Sequence, residues 1–382
     1  MTNKSFRTGT NLTTTQTDVD DLIVLRSNFV PGNLYAWGVN TNGVLGLNDS
    51  ISRSSPVQVG SSTNWKISGQ NGQGHAAMLK TDGTLFSMGS NFGLLGLGDS
   101  GNRSSPTQVG SLSNWKTVSC GYQHAIALQS NGTLWTWGVD SNGQLGIGKP
   151  TIYKSSPVQV GLMSNWQSIS GGHGNVIAIK TDNTLWSWGE NGYGQLGLAD
   201  TIDRSSPVQV VLSNWKIASS GLYHTVAIDN NNYLWTWGNN TYGQLGLGDI
   251  IHRSSPIQVG SLNNWQSVSA GFFHTIIIKT DGTLWTWGYN AFGQLGLGDI
   301  VRRSSPVQVG SLTNWKYAAG ASNATTVIKT DGTLWTCGYN GKGTLGLGDL
   351  TDRSSPIQVG LMSNWKSIGY GQDFMIAQTY ST

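Results

Sequence analysis

Few residues of this chain are of a type that does chemistry, and their spacing argues against catalysis. Four histidines, His75, His124, His224 and His274, fall at the same place of a recurring unit, where the other copies carry Asn175, Ala324 and Phe374. A metal site needs ligands converging within about 2 Å of one ion, and equivalent positions in successive repeats diverge. The expectation is no metal, with each imidazole hydrogen-bonded locally at a strand start. Seven Ser-Ser-Pro copies follow Arg53, Arg103, Lys154, Arg204, Arg253, Arg303 and Arg353, and no histidine or carboxylate is specially placed beside any one serine to activate it. Gly96, Gly98 and Gly101 match a dinucleotide fingerprint in spacing but lead into Arg103-Ser104-Ser105-Pro106, not a helix that could offer its N-terminus to a phosphate. Cys120 and Cys337 lie at different positions of distant repeats and read as packing residues rather than a disulfide or ligands. Catalytic residues, cofactor and metal are all expected to be none.

The unit that positions these residues is a strand of the form Leu284-Trp285-Thr286-Trp287-Gly288. Its seven copies close on Gly38, Gly89, Gly138, Gly189, Gly238, Gly288 and Gly338, spaced 51, 49, 51, 49, 50 and 50 residues apart. A fixed period of that length signals a solenoid, propeller or array. Around each copy stand three more strand signals. For the unit at Asn264 these are Trp265–Ser269, the β-branched run His274–Ile278 before an Asp281-Gly282 hairpin turn, and an outer strand Val307–Val309 started by Pro306. Four short strands per fifty residues make one antiparallel blade, and seven blades make a propeller. A linear solenoid is the rival. It is disfavoured because residues 374–378 lack a following Leu-Trp copy while residues 34–38 lack a preceding partner, so pairing them closes a ring. The expected fold is all-β: an arm at residues 1–31 and a seven-bladed propeller of four-stranded blades at 32–382.

Composition narrows the function classes. Only 11% of residues are charged, Glu190 is the single glutamate, and the net charge of +3 is spread along the chain. No basic stripe for nucleic acid exists. The first seventeen residues have no apolar h-region and no run is long enough to span a membrane. The expectation is a soluble protein made in the cytoplasm without a signal peptide. The arm ends in the apolar run Leu22, Ile23, Val24 and Leu25 behind Asp18, Asp20 and Asp21, a candidate anchor. Six aspartates (Asp49, Asp99, Asp200, Asp249, Asp299 and Asp349) precede the repeat arginine by four residues. The seventh copy has Lys149 and Lys154, so both members change together, as a structural ion pair would. All seventeen tryptophans occupy repeat positions and read as core.

The motifs Gly271 to Thr275, Leu284 to Gly288 and Asn290 to Gly298 resemble the repeats of the regulator of chromosome condensation family, in all seven copies. That resemblance implies a seven-bladed propeller and leaves function open among exchange factors, a plant ultraviolet-B photoreceptor, secreted inhibitors and phage or bacterial members. The repeats never exceed 51 residues, leaving no room for the exchange factor's inserted wedge. The turns carry Gln73, Tyr122, His173, Leu222, Phe272, Ser322 and Gln372 where the photoreceptor has tryptophan. The regular copies behind a polar arm resemble phage-encoded members most.

In an up-and-down blade, the turns between strands one and two and the loops between strands three and four share a face. That face carries Tyr122, Tyr223, Phe272 and Phe273 in the turns, and Tyr193, Tyr242, Tyr289 and Phe292, with Phe92, in the loops. Clustered aromatics of this kind form interface cores. The expected function is a non-enzymatic, protein-binding propeller: first a virion component held by its arm or aromatic face. Second comes a cytosolic module of the exchange-factor type, and third a carbohydrate-binding or inhibitor-like propeller with Tyr242 and Phe292 as glycan contacts.

Overall fold

The structure is a computed structural model that describes residues 32–380, apart from 68, 70 and 149–151. The arm, with Leu22, Ile23, Val24 and Leu25, lies outside the described residues, as does Lys149. The described residues form seven four-stranded antiparallel sheets. Blades 1 to 6 follow the chain from Trp65, and the seventh combines Trp365–Tyr370 and Phe374–Thr379 with Leu34–Gly38 and Arg53–Gln58. The closing register runs from Leu34 opposite Gln378 to Gly38 opposite Phe374. Ring closure by residues 34–38 and 374–378 is therefore as the repeat pattern implies.

Blade 5 shows why each segment takes its place. Its inner, second, third and outer strands are Trp265–Ala270, His274–Lys279, Leu284–Gly288 and Arg303–Gln308. The second strand is buried at every residue, which suits its Thr-Ile-Ile-Ile run to a position with a blade on either side. The hairpin turns at Gly282, whose φ of 77° lies in the left-handed region. Asp281 accepts from the Thr283 amide at 3.0 Å and hydroxyl at 2.6 Å. The outer strand begins at Arg303, not at Pro306 as the sequence implied. Pro306 fits inside because the ladder slips there, passing from Gly288 opposite Arg303 to Thr286 opposite Val307.

The core lies between blades. One cluster joins Val226, Ile228 and Val259 of blade 4 to Trp265, Ile277 and Trp287 of blade 5. The tryptophans divide into three sets. Those opening the inner strands and those in the second Trp position of the repeat strand are buried, while Trp135, Trp186, Trp235, Trp285 and Trp335 are half-buried. The half-buried set packs edge-on against the inner-strand ring, as Trp285 does on Trp265 at 6.1 Å. Lys279 sits 3.7 Å over the Trp285 ring. Truncating Trp287 to Ala should destabilise the ring by roughly 3–5 kcal/mol, and Trp285→Ala by less than about half of that. Urea unfolding of both variants measures the difference, and equal losses would contradict this division.

Candidate binding face

The loop after the third strand is built around one buried asparagine. In blade 4, Asn240 Nδ2 donates to Asp249 Oδ1 at 2.9 Å and its Oδ1 accepts from the Leu245 amide at 2.9 Å. Asp249 in turn pairs with Arg253 at 2.6 Å. All six Asp–Arg pairs implied by the sequence form, at 2.5–2.6 Å. The Ile251 amide, with the Arg253 guanidinium and Asn240, holds the Asp249 carboxyl below the usual carboxylate range.

This loop then grips the next blade. The Gln244 carbonyl accepts from both Trp287 Nε1 at 2.8 Å and Thr275 Oγ1 at 2.9 Å. Gln195 does the same for Trp237 and Thr225, both at 2.9 Å. Gly246, two residues on, leaves room for the indole: a Cβ there would lie 2.7 Å from Trp287 Nε1. Because the Thr275 hydroxyl donates its proton to Gln244, it accepts from His224 Nε2 at 3.1 Å, which fixes the proton on that nitrogen. His274 repeats this with Thr325 at 3.0 Å. His224 and His274 thus link neighbouring blades, correcting for these two the expectation of a local bond at the strand start; the residues that make it possible are Thr275 and Thr325, each second in the next blade's second strand. Ala125 and Val176 replace that threonine opposite His75 and His124. Burial holds all four imidazoles neutral, His75 pushed down to about 4 and the others to about 3. Among the described residues no cluster of His, Cys, Asp or Glu could hold a metal. Cys120 and Cys337 are buried free thiols, burial pushing each up to about 12.

The interblade grip places the residue two before each loop carbonyl against the residue just before the next blade's second strand. Tyr193 meets Tyr223 with ring centroids 5.1 Å apart, Tyr242 meets Phe273 at 5.3 Å, and Lys342 meets Asp373 as an ion pair at 3.0 Å. Further contacts extend the two aromatic pairs into two separate ring clusters, which together trace an arc. Tyr122 lies on His173 at 4.4 Å and His173 on Tyr223 at 5.2 Å. In the other cluster Tyr242, Tyr289, Phe292 and Tyr339 succeed one another at 4.7, 6.2 and 5.1 Å. Phe272 reaches across the central channel mouth to Tyr122 at 6.4 Å. All eight aromatics expected at an interface therefore lie on one face, in contact with at least one other ring; Tyr193 is 39% exposed and the other seven are half-buried. Glu190, the single glutamate, pairs with His173 at 3.3 Å inside the arc.

The sequence reading missed an aliphatic rim on the same face. Ile51, Ile152, Ile202, Ile251 and Val301, one per loop, are 57–84% exposed. Their signal was a β-branched residue two before the repeat arginine, or before Lys154, in a loop otherwise held by polar groups. Aliphatic exposure alone does not select this face, because Leu162 and Leu361 are exposed at the connections on the opposite one.

Seven closed blades whose sequence variation concentrates on one loop face define a repeat propeller. The chain belongs to the RCC1-like domain family: that domain matches residues 115–377, and the regulator of chromosome condensation (RCC1) repeat matches residues 31–79 and 82–128. Over 186 residues it is 32% identical to the ultraviolet-B receptor UVR8 of Arabidopsis thaliana, covering 47% of this chain and 42% of that one. Over 95 residues it is 39% identical to the probable E3 ubiquitin-protein ligase HERC3 of Homo sapiens, covering 24% of this chain and 9% of that one. The matched stretches thus span less than half the length of these relatives. Among solved structures, Prp20p from Saccharomyces cerevisiae is similar with a TM-score of 0.84 at 20% identity, over 97% of this chain and 95% of that one. Human WBSCR16 is similar at 0.81 and 22%, over 92% and 99%. Both likenesses carry the fold. These relatives are eukaryotic, and none is a phage protein.

The neutral histidines set a pH dependence. Unfolded histidine titrates near its ordinary pKa of about 6.5, so below that pH the unfolded chain binds protons that the folded chain does not. The stability this contributes is fully present above about 6.5 and is lost as pH falls toward the folded values. Replacing His274 by Asn, the residue at Asn175, should lower the slope of unfolding free energy against pH by up to one proton in that window. Denaturant titrations across the acid range measure it; an unchanged slope would mean His274 is not buried neutral.

Proposed function

We propose that this chain is a non-enzymatic, protein-binding propeller of the exchange-factor type that takes its partner on the aromatic loop face. The observation that carries this reading is the arc of ring contacts bordered by exposed aliphatic side chains, since aromatic anchors inside an apolar surround make strong interface centres. Prp20p, similar in fold, is described as binding Gsp1p and histones, and was also solved bound to Kap60. A protein partner is in keeping with those relatives. The short repeats bear on mechanism: a protein without a wedge would bind a small GTPase without necessarily opening its nucleotide site. Among the described residues no helix is long and apolar enough to cross a membrane, in keeping with a soluble, cytosolic protein.

A second reading, a virion component docked by residues 1–31, rests on the regularity of the copies and the Asp-containing arm. Mass spectrometry of particles from the source tests it, and absence of the chain from them would remove it.

For the primary reading, partner capture from a lysate by the immobilised chain, followed by titration, is the direct experiment. Tyr223→Ala with Phe273→Ala should weaken the captured partner at least about tenfold while the melting temperature stays near that of the parent. Equal binding by the double variant would exclude this face. Added to a Gsp1p-type GTPase at sub-stoichiometric amounts, the chain should speed nucleotide release if it shares the exchange activity; binding without release limits the reading to interaction alone.

A further inference from the structure

The interblade pairing that builds the arc leaves one place unfilled. Between the closing blade and blade 1 the paired positions hold Asn42 and Gly74, so one partner has no side chain; Asn142 and Gly174 repeat the pair between blades 2 and 3, but there Glu190 fills the space. Just after the third strand of blade 1 stands Ser90, where blades 5 and 6 carry Tyr289 and Tyr339. The result is a groove of ≈ 420 Å³ over the ring seam, a size suited to a small ligand. A Cβ added at Gly74 would meet only Ser90, at 3.7 Å. The groove is open because of these two small residues, and the backbone would accept a larger one.

Its lining has a consistent chemistry. Val44, Leu94 and Phe374, all buried, form an apolar floor. Gln73, Gln123 and Gln372 line the walls, and among the described residues their carboxamides make no hydrogen bond within the protein. Phe92 stands at the rim, 75% exposed. The charged groups of the lining, Lys342 and Asp373, neutralise each other at 3.0 Å.

We propose that this groove binds a neutral oligosaccharide. Each carboxamide can donate and accept at once, the pairing that adjacent sugar hydroxyls offer. The Phe92 ring supplies a flat apolar surface for the C–H face of a pyranose, and the floor supports its edge. A phosphate or carboxylate ligand would have to break the Lys342–Asp373 pair, and a wholly apolar ligand would leave the amides without partners. The groove lies apart from the Tyr223–Phe273 region, so the proposal is independent of the protein-partner reading. It also places saccharide contacts away from Tyr242 and Phe292.

The test is saturation-transfer NMR and calorimetry on the full chain with maltotriose, cellotriose and triacetylchitotriose. At least one should bind, Phe92→Ala should weaken it about tenfold, the size of one aromatic contact, and Gly74→Tyr should abolish it. Tyrosine already occupies the equivalent position as Tyr223, so the parent melting temperature should be kept. Three outcomes overturn the proposal: none of the three saccharides binds, binding survives Gly74→Tyr, or binding is lost in Tyr242→Ala with Phe292→Ala while Phe92→Ala leaves it intact.

Discussion

A loop carbonyl that reaches into the next blade is the contact on which this ring depends: it accepts a tryptophan indole at Leu94, Gln144, Gln195, Gln244 and Thr344, and a threonine hydroxyl at Gln195, Gln244 and Gln294. At Gln244 it fixes the angle between blades 4 and 5, because both donors come from fixed points of adjacent strands. The same contact sets the register of the face. Tyr242 stands two residues before that carbonyl and Phe273 two residues before Thr275, so gripping the blade brings the two rings together. Scaffold and surface are therefore one arrangement. What varies around the ring is the chemistry placed at a fixed geometry: two rings at Tyr193 and Tyr223, two charges at Lys342 and Asp373, an amide and a missing side chain at Asn42 and Gly74.

Much of the fold was legible because each repeat states it separately. The Leu-Trp spacing counts the blades, the Asp-Gly turn marks each hairpin, and two half-blades declare the closure. The Asp–Arg pairs were readable from the repeat in which both residues changed. The reach of the histidines was not. A partner one blade away is about fifty residues distant in sequence, and nothing in the spacing of His224 and Thr275 distinguishes it from the adjacent Thr225. The outer strand's start was not legible, because proline fits equally at a strand's first residue or within an edge strand at a bulge, and the bulge is a tertiary feature.

The face was legible in part. Alternation of strand direction put turns and loops on one side, and aromatic residues stood out against uniform hairpins. The sequence could not give the order of the rings, since Tyr122 and Phe272 belong to blades that meet only across the channel. Nor did it disclose the rim, because isoleucine in a strand-rich sequence reads as core until the fold leaves it in water. The groove was harder still, since it arises from what Gly74 and Ser90 lack.

The seam bears on how long the native state lasts. Leu34–Gly38 pairs with Phe374–Thr379 on one side and with Arg53–Gln58 on the other, so it is an interior strand, not an edge. Opening the ring there means parting the ladder between Leu34–Gly38 and Phe374–Thr379 in the middle of a four-stranded blade, not fraying an exposed edge. Such a latch adds to the barrier that unfolding must cross. Its formation must wait for segments from far ends of the sequence to meet, a slow step by loop-closure entropy. The ring is thus built to close late and, once closed, to shed its strands rarely, a property that favours endurance against proteases over rapid assembly.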